Sequence, residues 1–581
     1  MKNSNVLLVL SFLSYSALGQ DVSSTYQSVV ERWRHNPVMV AGDLGFSTSY
    51  FNSTGNETVQ SPFNYNVFGN INLDILGIQA PLGIFYSNKN TRYRLPAYHF
   101  VGISPSYKHH TLHLGDRNMS FGPYTFNGLG YTGIGLESSL GKFKVKGMYG
   151  RIRKATVQDA ITHNVLDNSY RRMAWGVGVS YQNKGTIIDM HIFHAADDTS
   201  SIERPFSDTL KPISGTILGL KGEQKLGIIK VRAEYAYNVL NKDIRLESLK
   251  GRHSLFGLFG KLQPYNAATG IYHAIKCEAD MQLGKNVVTL GYERIDPGFQ
   301  SPGTLFFNND RETYSLGIQS SWWKNKLNIN LRGGLQQNNL AHDRINTYHR
   351  WVTAANIGWR VTNKTNVNAT FSNFLSDQKS YLATRPFIDV DTLILTQNNT
   401  NYSGSINHQL SESGRLSLFV NHNTAYALTD GVKNPQSKLK NWMANLGYIW
   451  GSNTQKTTWG ASMNYSWLEY SIGTTVMLGP SVNISRKVWK DKWNISLNSS
   501  YFRSMMNEDA SNIIRIFLNN EVKLSKSIRM DAQVMFLNSS RAATTASNEF
   551  MINTSIIYKM DSKPLIKTFK TKNKTRHEDN K

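Results

Sequence analysis

The stretch WKNKLNINLRGGLQ, residues 323–336, contains a polar turn followed by strict alternation of apolar and polar side chains. One face of an extended chain carries aliphatic residues and the other carries polar ones: Leu327, Ile329 and Leu331 against Asn328, Asn330 and Arg332. Alternate residues of a β-strand point to opposite sides of the sheet. The stretch therefore predicts a β-strand with one apolar face, entered through a short turn.

The same alternation recurs in segments of about ten residues from Pro37 to Met560, for example in KWNISLNSSYF (492–502) and EFMINTSIIYKM (549–560). Short polar turns such as SSLGKFK, YQNKGTI, QLGKNVV and VWKDKWN join strands in pairs. Between consecutive short turns lie longer segments that are rich in Asn, Asp, Ser and Pro. Short turns on one side and long loops on the other are typical of outer-membrane β-barrels.

The strand count follows from the turns. About twelve short-turn hairpins give about 24 strands, and the first and last segments add one each. The predicted fold class is all-β: a large transmembrane antiparallel up-and-down β-barrel of about 26 strands, with 24 as the alternative, short periplasmic turns and longer extracellular loops. An even count places both chain ends in the periplasm.

The chain ends predict its location. MKNSNVLLVLSFLSYSALGQ has a basic start, a short apolar run and small residues, which predicts a secretory signal peptide over residues 1–19. Residues 20–36 form a short periplasmic N-terminal segment, residues 37–560 the barrel, and residues 561–581 a basic disordered periplasmic tail. We expect the protein in the cell outer membrane.

The composition is basic: 64 Lys and Arg against 40 Asp and Glu give a net charge of +24. Such a surface attracts anions. A secreted chain does not meet nucleic acid, so the expected partners are outer-membrane lipid and lipopolysaccharide, and a surface or periplasmic protein. The single cysteine, Cys277, excludes an intrachain disulfide framework.

A G-x-G-x-x-G spacing occurs at Gly128, Gly130 and Gly133, as in dinucleotide-binding turns. The flanking residues alternate as in strands, and Arg153 and Lys154 stand where a dinucleotide fold places an acidic residue. We therefore expect no nucleotide. The histidines form no compact metal-ligand set and no catalytic triad is recognisable, so we expect no cofactor and no enzymatic activity.

Charged residues fall on the face opposite the apolar one. In GKFKVKGMYGRIRK (141–154) the lysines alternate with Phe143, Val145 and Tyr149, which predicts that they face the lumen. The lumen-facing candidates are Lys142, Lys144, Lys146, Arg232, Glu234, Arg332, Arg515, Glu521, Lys523, Arg529 and Asp531. They could select anions or contact a passing chain; the alternative is an ordinary hydrated barrel interior.

Two loops are distinctive. LGDRNMSFGPYTFNGLGYTGIGLE (114–137) is rich in Gly and aromatics, and GYERIDPGFQSPGTLFFNNDRETYSLG (291–317) contains a D-P-G turn and a cluster of aromatics. The first could fold inward and close the pore; the second could fold into the lumen or bind a partner, with packing against the barrel rim as the alternative. The loop or plug candidates are Gly128, Gly130, Gly133, Asp296, Pro297, Phe306 and Phe307.

With the strand pattern, these two segments resemble outer-membrane β-barrels of the Bacteroidota, over essentially the whole mature chain. That resemblance implies fold and location rather than a particular activity. The LGD motif followed by a Gly- and aromatic-rich loop is also similar to fimbrial ushers, although the plug and periplasmic domains of ushers have no counterpart here.

Barrel width sets the functional hypotheses. About 16 to 18 strands leave an aqueous channel, and about 22 strands require a plug. A barrel of about 26 strands therefore needs its own loops, a partner or a cargo in its lumen. Our leading hypothesis is a channel that exports or displays a polypeptide at the cell surface with partner subunits. The alternative is a diffusion porin or nutrient channel with a basic lumen constricted by loops; an enzyme or adhesin has no residue-level support.

Overall fold

A computed structural model describes residues 38–54, 62–88, 99–156, 168–202, 210–249, 265–304, 309–342, 349–379, 394–429, 432–452, 456–471, 473–507, 509–541 and 544–564. The predicted signal peptide (1–19), the N-terminal segment (20–36) and most of the predicted tail lie outside these ranges. Among the described residues, no helix has the length and apolar character needed to cross a membrane.

The described chain forms a closed antiparallel barrel of 26 strands, which confirms the predicted fold class and strand count. In chain order the strands are β1 (Val38–Thr54), β2 (Phe63–Ile75), β3 (Ile78–Ser87), β4 (interrupted, Phe100–Ile103 and Ser106–Tyr107), β5 (His110–Asn118), β6 (Gly130–Leu140), β7 (Phe143–Arg153), β8 (Arg171–Asn183), β9 (Thr186–Asp198), β10 (Ser214–Leu226), β11 (Ile229–Asn241), β12 (Thr269–Leu283), β13 (Asn286–Ile295), β14 (Arg311–Trp322), β15 (Leu327–Gln337), β16 (His349–Arg360), β17 (Thr365–Lys379), β18 (Ile394–Gln409), β19 (Gly414–Thr429), β20 (Leu439–Ser452), β21 (Thr457–Tyr470), β22 (Gly473–Val488), β23 (Trp493–Met506), β24 (Asp509–Lys523), β25 (Ile528–Arg541) and β26 (Thr544–Pro564). In the described parts of the connections lie two 3₁₀ turns, Thr199–Ser201 and Pro435–Ser437, and a two-residue strand at Val432–Lys433.

Closure comes from the pairing of the last strand with the first. β26 pairs with β1 from Met39↔Pro564 to Thr54↔Asn548, with one register shift near the start of β1. The hydroxyls of Thr48 and Thr554 are hydrogen bonded across this seam at 2.7 Å. Closure leaves the sheet without an unpaired edge, as a lipid environment requires.

Tight turns define one end of the barrel, which we call the short-turn end. Leu76 and Gly77 between β2 and β3 have φ of 55° and 90°, and Lys184 and Gly185 between β8 and β9 have φ of 31° and 91°. Positive φ at both central residues is the mark of the hairpin turn whose twist matches the strands. The Gly-containing turns predicted from sequence therefore form for a local conformational reason.

The opposite end carries long connections over the first half of the chain, such as residues 242–268 between β11 and β12. The expectation of longer loops fails after β21, β23 and β25, where only two residues separate consecutive strands. Gly473 (φ 156°) and Asn507 (φ 54°) supply the left-handed backbone that two of these tight hairpins need. Long loops therefore concentrate on one side of the barrel.

The two faces of the sheet differ in chemistry. Alternate residues on one face are apolar and exposed, for example Met190 at 54%, Leu290 at 58% and Leu446 at 50%. Outside a closed barrel such a surface is suited to lipid. Trp323, Trp359 and Trp489 are exposed near the short-turn end, as in an aromatic girdle at a membrane interface. The other face carries charges and amides and lines the lumen.

Candidate lumen plug and channel lining

Two segments from the long-loop end pack against the lumen face. Plug loop 1 (residues 119–129) joins β5 to β6, and plug loop 2 (residues 296–304) follows β13. They form a small parallel sheet in which Phe126 pairs with Gly303 and Asn127 with Thr304. The Ser301 hydroxyl donates a hydrogen bond to the Thr125 carbonyl. The two loops, distant in sequence, therefore form one structural unit.

Aromatic side chains of plug loop 1 pack against the barrel wall in a first apolar cluster. The fully buried rings of Phe126 and Phe193 (β9) stack with centroids 5.1 Å apart. Phe121 lies beside both rings. The remaining members of this buried cluster come from plug loop 1 and the lumen face of β6 to β9: Met119, Tyr131, Met148, Ala174 and Ala195. Plug loop 1 is thus held by an apolar core inside the barrel.

A second apolar cluster holds both loops further around the barrel. Tyr124 from plug loop 1 and the fully buried Phe299 from plug loop 2 pack together against lumen-facing residues of β10 to β13: Ile217, Ala236, Ala274 and Ile295. Together the two clusters reach from β6 to β13. The plug therefore lines one arc of the wall; we call this arc, with the strands that flank it, the plugged arc (β5 to β15).

Small wall residues create the space for this packing. A Cβ at Gly176 would lie 2.9 Å from the Phe121 ring, and one at Gly215 would lie 2.7 Å from the Pro302 side chain. A Cβ at Gly219 would lie 2.0 Å from Nε2 of His191. Sequence reasoning missed these residues, although glycine and alanine at alternate positions of β8 to β12 are a readable signal of close approach by another segment.

A buried ion pair fastens plug loop 2. The guanidinium of Arg172 (β8) donates to both carboxylate oxygens of Asp197 (β9) at 2.7 and 3.0 Å. Nη1 of Arg172 also donates to the Pro302 carbonyl at 3.2 Å. The Arg172 and Asp197 side chains are only 9% and 4% exposed. Because the fork of Arg172 is fixed by Asp197, it presents a third, directed hydrogen bond to the plug.

Polar contacts fasten plug loop 1. The Tyr124 hydroxyl donates to Glu293 (β13) at 2.6 Å. Burial, with the nearby Glu293 carboxylate, raises the pKa of Tyr124 well above its ordinary value, so the phenol stays a donor. Nζ of Lys146 donates a hydrogen bond to the Ser120 carbonyl at 2.8 Å and lies 5.0 Å from the centroid of the Phe121 ring.

Histidine and asparagine complete the attachment. The Thr125 hydroxyl and Nε2 of His191 are 2.9 Å apart, and Nδ1 of the same histidine is 3.0 Å from Asp189. The Asn238 amide donates to the Gln300 carbonyl at 2.9 Å. Side chains of β7, β8, β9, β11 and β13 therefore hold both plug loops by hydrogen bonds as well as by apolar contact.

The predicted glycines of the first loop occupy three different environments. Gly128 lies in plug loop 1 with φ of 75° and open space around it. Gly130 is the first residue of β6. Gly133 lies within β6, where a Cβ would be 2.1 Å from the Tyr149 carbonyl oxygen. The spacing reflects a left-handed turn followed by close strand packing.

The predicted residues of the second loop lie at its start and beyond its described part. Asp296 accepts a hydrogen bond from the His273 amide at 2.8 Å, which anchors plug loop 2 to β12. Pro297 follows it and precedes a glycine with φ of 77°. Phe306 and Phe307 lie outside the described residues.

Apart from Lys142, the charged residues of the plugged arc that were predicted to face the lumen lie on the face that carries the plug. Lys142 lies in the turn between β6 and β7, whereas Lys144 and Lys146 lie in β7. Glu234 lies beside plug loop 1, since a Cβ at Gly122 would be 3.2 Å from its carboxylate.

Carboxylates neutralise the arginines of this arc. Arg232 contacts Glu278 at 3.2 Å and Asp280 at 2.9 Å. Arg332 of β15 reaches the same Glu278 at 3.2 Å. These cations are therefore already paired with fixed wall carboxylates, which reduces the charge they present to a passing solute.

The remaining predicted charges lie in β24 and β25. Arg515 alternates with the outward-facing Ile514 and Ile516, which are each 39% exposed. In the register of the two strands Glu521 pairs with Asp531 and Lys523 with Arg529. Arg529 contacts Asp531 at 3.2 Å.

A different wall faces the plug. The lumen face of β17 to β23, which we call the amide arc, is dominated by Asn, Ser and Thr. Their side chains form hydrogen-bonded ladders across neighbouring strands: Asn421 to Asn401 (2.6 Å), Asn445 to Asn464 (2.6 Å), Asn464 to Ser481 (2.5 Å) and Asn483 to Asn498 (2.8 Å). This wall offers neutral donors and acceptors rather than charges.

Lysines mark the short-turn end. They occupy or adjoin most of its turns: Lys108, Lys142, Lys184, Lys285, Lys324, Lys326, Lys364, Lys456, Lys490, Lys492 and Lys526. One pair is neutralised locally, since Lys456 lies 2.6 Å from Asp491. The excess positive charge of the sequence is therefore partly concentrated at one mouth of the barrel.

No family model and no curated protein matches the sequence. Among solved structures, a mutant of the ferric enterobactin receptor of Pseudomonas aeruginosa aligns over 89% of this chain and 80% of its own, at 9% identity and a TM-score of 0.38. The P pilus usher translocation pore aligns over 90% and 99%, at 12% identity and a TM-score of 0.37. A bacterial polysaccharide outer membrane secretin aligns over 50% and 91%, at 8% identity and a TM-score of 0.25. At this level of similarity, what those proteins bind says nothing about this chain.

Proposed function

We propose that this chain is an outer-membrane channel that exports a polypeptide to the cell surface, or displays it there, together with partner subunits. The closed sheet satisfies its backbone hydrogen bonds internally, as a spanning structure must. Its outer face is apolar and exposed, with Leu290 and Leu446 at 58% and 50%. Both properties support insertion of the barrel in the outer membrane.

The observation that carries the transport proposal is the position of the plug. A barrel of 26 strands is wider than the barrels of about 22 strands that need a plug. The described plug loops contact the wall from β6 to β13, and the amide arc across the lumen presents neutral hydrogen-bonding groups. A peptide main chain carries the same donors and acceptors as these amides. The arrangement suits a polymer moving beside the plug.

A second candidate is a diffusion channel constricted by its own loops. The inward folding of plug loops 1 and 2 favours it, because such loops narrow a lumen without any partner. The two candidates differ in what occupies the space beside the amide arc: a polypeptide in the first, and water with small solutes in the second.

Site-specific photo-crosslinking tests the proposal in the native cell. A photo-reactive amino acid at Asn445 samples the lumen, and the same residue at Leu446, its outward-facing neighbour, is the matched control. We expect a polypeptide adduct from Asn445 and none of the same mass from Leu446. Deletion of the gene should remove the trapped polypeptide from the surface proteome.

The diffusion channel predicts the opposite pattern. The purified protein would then give steady ion currents in planar bilayers, Asn445 would trap no polypeptide, and the surface proteome would be unchanged by deletion. That combination would refute export and establish the second candidate.

A further inference from the structure

A basic cleft opens at the short-turn end of β15 to β19. It has a volume of about 520 Å³ and is bounded by four cations, Lys326, Arg360, Lys364 and Arg415. Side-chain amides of the lumen face, including Asn366 and Asn407, form the rest of its wall. The cleft lies at the mouth of the amide arc.

The positive charge in this cleft is not balanced by the described residues around it. Its lining contains no carboxylate. None of its four cations takes part in an ion pair within the described parts of the chain, in contrast to Arg232 and Arg332 of the plugged arc. Four unpaired cations around one hollow repel each other and create a site for an anion.

A second copy of the same turn shows what is special here. Trp323–Lys326 (W-K-N-K) and Trp489–Lys492 (W-K-D-K) have nearly identical backbones, with φ of 50°, 55° and 66° in the first and 52°, 53° and 66° in the second. In the second turn, the Asp491 carboxylate forms an ion pair with Lys456 at 2.6 Å. At the same position in the first, the neutral Asn325 lines the cleft. The fold thus accepts a carboxylate at this position, but the cleft lacks one.

We infer that this cleft binds an acidic polypeptide segment at the mouth of the barrel. The inference rests on the proposed export function, in that the segment belongs to the cargo. Guanidinium groups bind carboxylates in a directed, two-pronged manner, and side-chain amides bond to the peptide main chain. Four cations spread around about 520 Å³ match several carboxylates along one chain better than one small ion.

The test uses the full-length protein in nanodiscs and a fluorescent hexaglutamate peptide, with a glycine–serine peptide as the neutral comparison. We expect hexaglutamate to bind and the neutral peptide not to bind. The double variant Arg360→Gln/Arg415→Gln should weaken binding at least about tenfold, since each removes charge-assisted hydrogen bonds. Asn325→Asp, which copies the other turn, should weaken it about threefold to tenfold.

The charge-matched control is Lys490→Gln/Lys492→Gln, which removes two cations from the equivalent turn. It should leave the affinity unchanged. Equal loss in both double variants would show nonspecific attraction to a basic rim and overturn the inference. Heat-modified migration of each variant in gels verifies that the barrel is folded.

Inorganic phosphate at constant ionic strength separates the two sources of negative charge. If phosphate alone binds as tightly as hexaglutamate, the cleft is a site for a free anion and the inference is wrong. If hexaglutamate binds but crosslinking at Asn445 traps no polypeptide, the acidic-peptide site stands and the export function fails.

Discussion

The substitution Arg172→Ala should weaken the attachment of plug loop 2 to the barrel wall. Arg172 is bound to Asp197 and donates at 3.2 Å to the Pro302 carbonyl of plug loop 2. Breaking a buried pair by removing one partner costs about 3–5 kcal/mol of stability, because the remaining charge stays buried. Of this loss of stability, the part that affects the attachment of the plug is the lost hydrogen bond to the Pro302 carbonyl. A hydrogen bond from a charged donor contributes about 1.5–3 kcal/mol.

Loss of this hydrogen bond should shift the equilibrium between docked and released plug by about 10- to 150-fold. The assay is single-channel recording in planar bilayers, where release of the plug appears as longer occupancy of the largest conductance. We expect Arg172→Ala to increase that occupancy markedly. Arg172→Lys keeps a charge beside Asp197 but lacks the planar fork, and should give a smaller increase from a fully folded barrel.

The neighbouring pair is the matched control. Arg171 contacts Asp198 on the opposite face, and these side chains are 47% and 27% exposed. An exposed ion pair contributes less than about 1 kcal/mol, so Arg171→Ala should behave as wild type. If both alanine variants change the conductance equally, or if Arg172→Ala and Arg172→Lys both leave it unchanged, the buried pair does not hold the plug.

Tyr124→Phe removes the bond to Glu293, and should release plug loop 1 about tenfold more often in the same recordings. Because the pKa of Tyr124 is raised in the folded state, its phenol stays a hydrogen-bond donor through the ordinary alkaline range; the difference in current between the phenylalanine variant and the wild type should therefore not change between about pH 7 and pH 10. Gly303→Ala places a Cβ 2.6 Å from the Thr125 carbonyl and should cost about 1–3 kcal/mol of plug packing, seen as protease cleavage in the plug loops; an intact chain would contradict this contact. Leu290→Arg on the outer face should destabilise the barrel by about 2–4 kcal/mol in urea titrations, and a value near zero would place this face away from lipid.

Most of the barrel could be predicted from the sequence because the features that determine its strands and turns are local. Alternation with a period of two is set within each strand, and turns such as Lys184–Gly185 need only two residues with positive φ. The strand count followed from those turns. The connection at Asn507 was harder to classify, because a two-residue hairpin at the long-loop end uses the same residue types as any polar loop.

The plug was only partly predictable because its contacts are not local. The first Gly- and aromatic-rich segment and the D-P-G segment were recognised as candidates to fold inward. Their mutual pairing at Phe126 and Gly303 depends on the barrel bringing β5 and β13 to the same lumen. The role of Arg172 could not be predicted, because its partner Asp197 is identifiable only once the register of β8 and β9 is known.

The distribution of charge is consistent with the proposed export function. A conducting site must bind well enough to admit its cargo and weakly enough to release it. Along the plugged arc, arginines such as Arg232 and Arg332 are held by wall carboxylates, so a passing chain gains little by contacting them. Away from its mouth, where Arg415 lies, the amide arc is neutral, and its side chains bond to each other, as Asn445 does to Asn464. Unbalanced charge is concentrated at the short-turn mouth, which is the entrance under the proposed export function, so attraction would act there and fade along the lumen. A carboxylate placed by Asn325→Asp would reduce recruitment without obstructing the path beyond it.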